Sequence, residues 1–214
     1  MREDVLNIIL KAHKEKVKVT LPKIDSLQEA YEIQNALVEK LGGRKIGYKL
    51  GLTKEEVLEK LSLNEPVIGV LLDFMDKTKN GVDVENAVNP LLELEVVAKR
   101  VRNSWRYFLG FEIPDEKISN SDPLSLVANN VNAWGFVVGE EEVNKEEVNE
   151  CELYKDGNLL GRGKVNLKYL PWLENKVKIN DGMIVFTGAI VGPVNLSKGK
   201  YEGRCGKYKI ILSL

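Results

Sequence analysis

The chain has 214 residues, 43% hydrophobic and 29% charged, with a net charge of −1; this is the composition of a sizeable folded unit, not of a disordered or fibrous chain. Near-neutral charge gives no electrostatic handle on a polyanion, which argues against nucleic acid as a partner, and no apolar run approaches the roughly 18 residues of a membrane span. A single histidine and two cysteines exclude a histidine-rich metal site, a zinc cluster and a disulfide framework.

Residues 4–16 set Val5, Ile9 and Ala12, with Leu6 and Leu10, at helical spacing. Charges interrupt this segment too often for a signal peptide, so the expected location is the cytoplasm. It carries His13, through which any Ser-His-Asp or Cys-His machinery would have to run. A second helix is bounded by a capping pattern at Ser26 and Glu29 and by Gly42-Gly43, with Ala30, Ile33, Leu37 and Leu41 on one face. KIGYKLGL then alternates as a half-buried strand, with Lys45, Gly47 and Lys49 on its polar side. Thr53 and Glu56 read as the cap of a short helix that ends before Asn64-Glu65-Pro66. Beyond Pro66, short strand-like runs recur between turn signals: VIGVLL, LLELEVVA, VNAWGFVV, NECELY, GMIVFTG and KYKIILSL. Cys151 and Cys205 read as reduced packing residues. The expected class is α+β, with a small helical lobe over residues 1–66 and a β-rich body over 67–214 acting as one functional unit.

LLELEVVA is the segment with the clearest chemistry. Residues two apart in a strand share a face, so Glu93 and Glu95 project side by side. Buried unpaired, they would repel or take up protons; a hard divalent cation such as Mg²⁺ or Mn²⁺ removes that penalty. A strand with one wet face, continued by Val97 and Lys99, accounts for the same pattern. Lys49, flanked by Gly47 and Gly51, is either a solvated lysine or a ligand contact on a backbone open to close approach. Arg100, Arg102 and Arg106 with Trp105 and Tyr107 read as surface plus packing. Gly163-Lys164 lacks the flanking residues of a phosphate-binding loop.

In order along the chain, AYEIQ, GYKLGLT, EPVIGVLLDFM, NPLLELEV, FEIPDEK, LVANN and GMIVFTGAIVGPV resemble the 2-hydroxypentadienoate hydratase and 4-oxalocrotonate decarboxylase family, relatives of fumarylacetoacetate hydrolase. The resemblance implies a mixed β-roll body, homo-oligomeric assembly and a small 2-oxo acid substrate. It also implies a Mg²⁺ or Mn²⁺ ion held by Glu93, Glu95 and Glu112, with Lys49 and Thr187 as catalytic groups and Gly51, Leu61, Asn130 and Gly188 as substrate contacts. The implied reaction is a lyase step through a metal-stabilised dienolate. Where hydratases of this family carry an acidic residue after Pro66, this chain has Val67, an aliphatic choice that leans to decarboxylation of a 2-oxo-enedioate. Hydration of 2-hydroxypenta-2,4-dienoate, C–C hydrolysis of an acylpyruvate and a non-catalytic keto-acid binder are the alternatives. The segments between Glu95 and Glu112 and after Gly163 are shorter than is usual for the family.

Overall fold

Two helices open the chain in the computed structural model, which describes residues 2–120 and 122–214. Helix α1 (Glu3–Glu15) buries the expected stripe of Val5, Leu6, Ile9 and Ala12. Helix α2 (Leu27–Leu41) begins at Ser26, whose hydroxyl accepts from the Glu29 N–H at 3.1 Å, while the Glu29 carboxylate turns back to the Asp25 N–H at 2.9 Å. The capping pair therefore forms, with its second bond one residue early. Buried Gln34 on α2 donates to the carbonyls of Ile68 and Val127, tying the helix to the sheet beneath it.

Strands β1 (Lys45–Gly51) and β2 (Val67–Leu72) flank the short helix α3 (Glu55–Lys60). The expected cap does not form: α3 starts after Lys54 with no side-chain cap. Thr53 is buried against Gly188 instead, so close that a Cβ on Gly188 would lie 2.3 Å from the Thr53 Oγ1. Next come β3 (Leu91–Val101), β4 (Ser104–Pro114), α4 (Pro123–Ala128) and β5 (Ala133–Val143). The remainder is β6 (Glu150–Lys155), β7 (Asn158–Lys164), α5 (Tyr169–Lys176), β8 (Ile184–Phe186), β9 (Val191–Asn195), β10 (Lys200–Cys205) and β11 (Tyr208–Ser213). Helices and mixed sheets segregate as an α+β protein should.

A seven-stranded sheet runs β2-β1-β8-β3-β4-β5, with β9 also on β3, and a four-stranded sheet runs β11-β10-β6-β7. Strand β3 is buried on both faces, which explains its nearly continuous apolar run. Leu92, Leu94 and Val96 pack toward Leu153, Tyr201 and Ile210 of the second sheet. The opposite face carries Glu93, Glu95 and Val97, and Val97 packs with Phe136 and Phe186. The large sheet curls on itself: beyond β2, Asp76 bridges to Phe136 of β5 and the Lys77 N–H donates to the Phe136 carbonyl at 2.9 Å.

Arg102 and Asn103 both have positive φ and close the β3–β4 hairpin as a two-residue turn. The basic-aromatic stretch is thus hairpin and strand. The tight turn also accounts for the short span from Glu95 to Glu112. Cys151 and Cys205 stand directly opposite each other on β6 and β10 and are joined by a disulfide. This corrects the reading of both as reduced: antiparallel partners bring their Cβ atoms within bonding reach. Among the described residues, no helix is long and apolar enough to cross a membrane.

Candidate metal centre and its cleft

Glu93 and Glu112 are opposed in the β3–β4 ladder, and Glu95 lies two residues along β3, so the three carboxylates share one face. One oxygen from each lies within 4.8 Å of the others. Glu95 and Glu112 are buried and Glu93 is half-buried. Lys99 alone on this face of β3 reaches solvent, whereas Glu95 and Val97 are fully enclosed. A wet-faced strand is therefore not what forms.

Burial raises Glu95 well above the ordinary carboxylate range, and repulsion from Glu112 and Glu93 adds to it. Burial also pushes Glu112 up to about 8, against the pull of Lys49. Glu95 Oε1 and Glu112 Oε2 are buried with no hydrogen-bond partner, an arrangement that costs several kcal/mol unless a cation shares them. Oxygen ligands sit roughly 2.0–2.6 Å from Mg²⁺ or Ca²⁺, so ligands across the ion are about 4–5 Å apart. The spacing and the all-carboxylate donor set fit a hard divalent cation.

The chain between β8 and β9 braces this centre. Both strands pair with the same edge of β3, and residues 187–190 pass beside Glu95 between them. The Gly188 N–H donates to Glu95 Oε2 at 2.8 Å, and the Ile190 N–H donates to the Leu94 carbonyl at 2.9 Å. The Thr187 hydroxyl donates to the Val96 carbonyl at 2.7 Å, which leaves its oxygen free only to accept. Gly192, which the sequence reading missed, has φ +114°; a Cβ there would lie 2.6 Å from the Leu92 carbonyl oxygen and 3.3 Å from Glu93 Cγ. The Gly192-Pro193 pair is the turn signal that marks it.

Lys49 is buried, not solvated. Its Nζ forms an ion pair with Glu112 Oε1 and donates to the Val131 carbonyl at 2.8 Å. Gly69 on β2 makes room for it, since a Cβ there would lie 2.8 Å from Lys49 Cγ. The Val131 carbonyl is presented by a left-handed turn in which Asn130, Val131 and Asn132 have φ of 52°, 52° and 56°, unfavourable for a β-branched residue. Asparagines hold it. The Asn130 amide donates to the Val70 carbonyl at 2.9 Å and accepts from the Val70 N–H at 2.7 Å, while Asn129 donates to Asn132 Oδ1 at 2.8 Å. Asn130 is thus no substrate contact: its side chain is spent on Val70, and it acts on Lys49 through the turn.

Beside the carboxylates opens a cleft of ≈ 150 Å³ whose lining includes Gly51, Leu52, Lys54, Val57, Glu93 and Gly192. Gly51 lies where it was expected. Leu61 does not: it lines a neighbouring cleft with Ile118, Leu126 and Asn132, and the two hollows share only Leu52. His13 lies outside both. Its Nε2 is 3.0 Å from Asn129 Oδ1, and burial lowers its pKa to about 4, so it offers the cleft no base. Buried Asp115 pairs with Lys117 at 2.6 Å and accepts from the N–H groups of Val88 and Asn89, which ties down the segment leading into β3.

No family model matches the chain. It is 24% identical over 217 residues to a 4-oxalocrotonate decarboxylase of Pseudomonas sp. (strain CF600), covering 83% of this chain and 82% of that protein. It is 27% identical over 200 residues to a 2-keto-4-pentenoate hydratase of Paraburkholderia phymatum, covering 77% and 76%. Its fold matches that of 4-oxalocrotonate decarboxylase from Pseudomonas putida G7, a structure complexed with magnesium and adipate, with a TM-score of 0.82, 21% identity, and 100% and 98% of the two chains covered. The resemblance read from the ordered motifs and the mixed-sheet fold expected from it both hold.

Proposed function

We propose that this protein is a divalent-metal-dependent lyase acting on small 2-oxo acids, and that it decarboxylates a 2-oxo-enedioate. The observation that carries the reading is the convergence of Glu93, Glu95 and Glu112, two of them with orphaned buried oxygens, next to a buried lysine. Those glutamates would hold Mg²⁺ or Mn²⁺; the likeness to a magnesium-complexed decarboxylase supports the choice. When bound, the cation supplies Lewis acidity toward the substrate's 2-oxygen.

The chain's own groups do the rest. In a 2-oxo-3-enedioate with a 6-carboxylate, the bond from C5 to that carboxylate breaks and CO₂ leaves. The electron pair then passes along the conjugated chain to the 2-oxygen. Lys49, held by Glu112 and the Val131 carbonyl, offers a positive charge against the negative charge gathering there. The Thr187 oxygen can accept from a substrate hydroxyl or a water. Leu50, Leu52, Val57 and Pro193 give the cleft an aliphatic wall, which favours loss of a neutral molecule over attack by water. Val67 is buried in the core, packed with the helices, and supplies no acid for water activation. Residues 1–66 and 67–214 act as one unit in this reading, because β1 brings Lys49 to a glutamate of the body. We assign the enzyme to the cytoplasm, as a homo-oligomer.

Hydration is the second reading, supported by the hydratase relative; it would use the same centre and release no CO₂. Acylpyruvate hydrolysis needs a water-activating dyad, and His13 is committed to Asn129. The test is to follow CO₂ release and dienol absorbance together, with and without added Mg²⁺ or Mn²⁺. Metal-dependent CO₂ release supports the decarboxylase, and hydration without CO₂ replaces it. Binding of metal with oxalate but no turnover of either substrate leaves a keto-acid binder.

A further inference from the structure

The cleft beside the metal centre has two charged lining residues, Glu93 and Lys54; Leu50, Leu52, Val57 and Pro193 are aliphatic members of the same wall. Glu93 belongs to the carboxylate cluster, so Lys54 is the charge left over. Its Nζ is 3.4 Å from the Gly192 carbonyl, and the Gly192 backbone packs on Glu93, which keeps the ammonium at the cleft. Neighbouring charges are paired, Lys168 with Glu55, Lys176 with Glu65 and Arg162 with Glu152. Among the described residues Lys54 has no carboxylate within 4.0 Å. It also borders a second hollow that Arg162 and Lys164 line, so the field at that end is reinforced in sign.

A carboxylate cluster suited to a cation at one end, an aliphatic wall and an unpaired ammonium at the other describe a ligand with two anionic ends and a short hydrocarbon middle. We propose that Lys54 anchors the distal carboxylate and makes the site selective for dicarboxylic 2-oxo acids over monocarboxylic ones of equal length. The proposal rests on the metal-centre reading above and adds the residue that sets substrate class. In a decarboxylation the anchored carboxylate loses its charge as CO₂ forms. A cation on it therefore favours bound substrate over the transition state and contributes to KM, not to kcat.

The test compares two unreactive probes, 2-oxoadipate and 2-oxohexanoate, which differ only in the second carboxylate, with oxalate as the probe of the metal centre alone. Each is titrated with Mg²⁺ into the full-length protein, by calorimetry or thermal shift. The wild type is expected to prefer 2-oxoadipate by about tenfold, the scale of one charge-assisted contact. Lys54→Met should bring that preference to within about twofold while oxalate binds as before. In turnover, Lys54→Met should raise KM about tenfold with kcat unchanged or higher. Lys164→Met, in the adjoining hollow, should keep the preference. Equal wild-type affinity for the two probes overturns the proposal, as does a preference that survives Lys54→Met or falls with Lys164→Met. Failure of oxalate to bind with Mg²⁺ overturns the metal-centre reading itself, and a fall in kcat together with melting temperature would assign Lys54 a structural role.

Discussion

Lys49 and Glu112 form a buried ion pair between strands that are not neighbours, since β8 and β3 lie between β1 and β4 in the sheet. The curl of the sheet brings them together. Removing one partner of a buried pair costs roughly 3–5 kcal/mol, because the other charge is left desolvated, whereas removing both costs far less. Lys49→Met and Glu112→Gln should each destabilise the metal-free protein, and the double variant should be more stable than the sum of the single losses requires. Urea denaturation of the four proteins measures the coupling; strictly additive effects would mean the pair is not formed. Lys49→Met should also lower kcat by about 10²–10⁴-fold.

Raised acids make a definite statement about pH. Glu112 moves from 4.5 in an unfolded chain to about 8 in the fold, and Glu95 moves in the same direction. The native state then holds protons that the unfolded chain has released, so these groups contribute stability that is lost as pH rises through the folded value. His13 works with the opposite sign: lowered from 6.5 to about 4, it contributes stability that is lost as pH falls through that range. The clean window is above about pH 6.5, where the glutamates act alone. The metal-free protein should melt at a falling temperature from about pH 6.5 to 8.5, and stabilisation by Mg²⁺ should grow over the same interval, because the ion needs deprotonated ligands. A metal-free melting temperature that rises across this window contradicts the burial of these carboxylates.

The turn that presents the Val131 carbonyl to Lys49 depends on Asn130 in two ways, through two buried hydrogen bonds to Val70 and through tolerance of a left-handed backbone. Each buried partner left unsatisfied costs about 1–3 kcal/mol, and a left-handed residue with a Cβ costs about 1–2 more. Asn130→Gly loses only the first contribution; Asn130→Ala loses both. The glycine variant should therefore be the more stable of the two, despite being the larger deletion. Both should reduce kcat by loosening Lys49. Equal stability of the two variants in urea would remove backbone strain from the account.

The parts of this design that depend on short-range periodicity were legible in the sequence, and those that depend on curvature were not. Glu93 and Glu95 share a face because strands have a period of two, and α1 and α2 follow from apolar stripes and the Ser26 cap. Lys49 looked solvated because its strand alternates; only the curl of the sheet encloses that side. Arg102-Asn103 is not a typical hairpin pair, so nothing local announced that Glu112 would stand opposite Glu93, and that ligand came from the family resemblance. The same resemblance carried Leu61 and Asn130 to the wrong surroundings, because motif order does not say which way a side chain turns.

Cys151 and Cys205 illustrate the same limit and give the last test. They are 54 residues apart and meet because β6 and β10 pair, a non-local contact that residue counts alone do not reveal. Closing a loop of that length in the unfolded chain corresponds to roughly 4 kcal/mol in the chain-entropy model, and measured values typically fall at 2–4 kcal/mol. Reduction, or the Cys151→Ser/Cys205→Ser double variant, should therefore lower stability by about 2–4 kcal/mol in urea. Metal-dependent activity should change little, because both sulfurs lie in the core on the Leu94 and Val96 side of β3 while the glutamates occupy its other face. Alkylation of denatured, unreduced protein gives an independent check by mass. Two modified thiols would restore the cysteines to simple packing residues, and none would leave the bond as a brace for the second sheet.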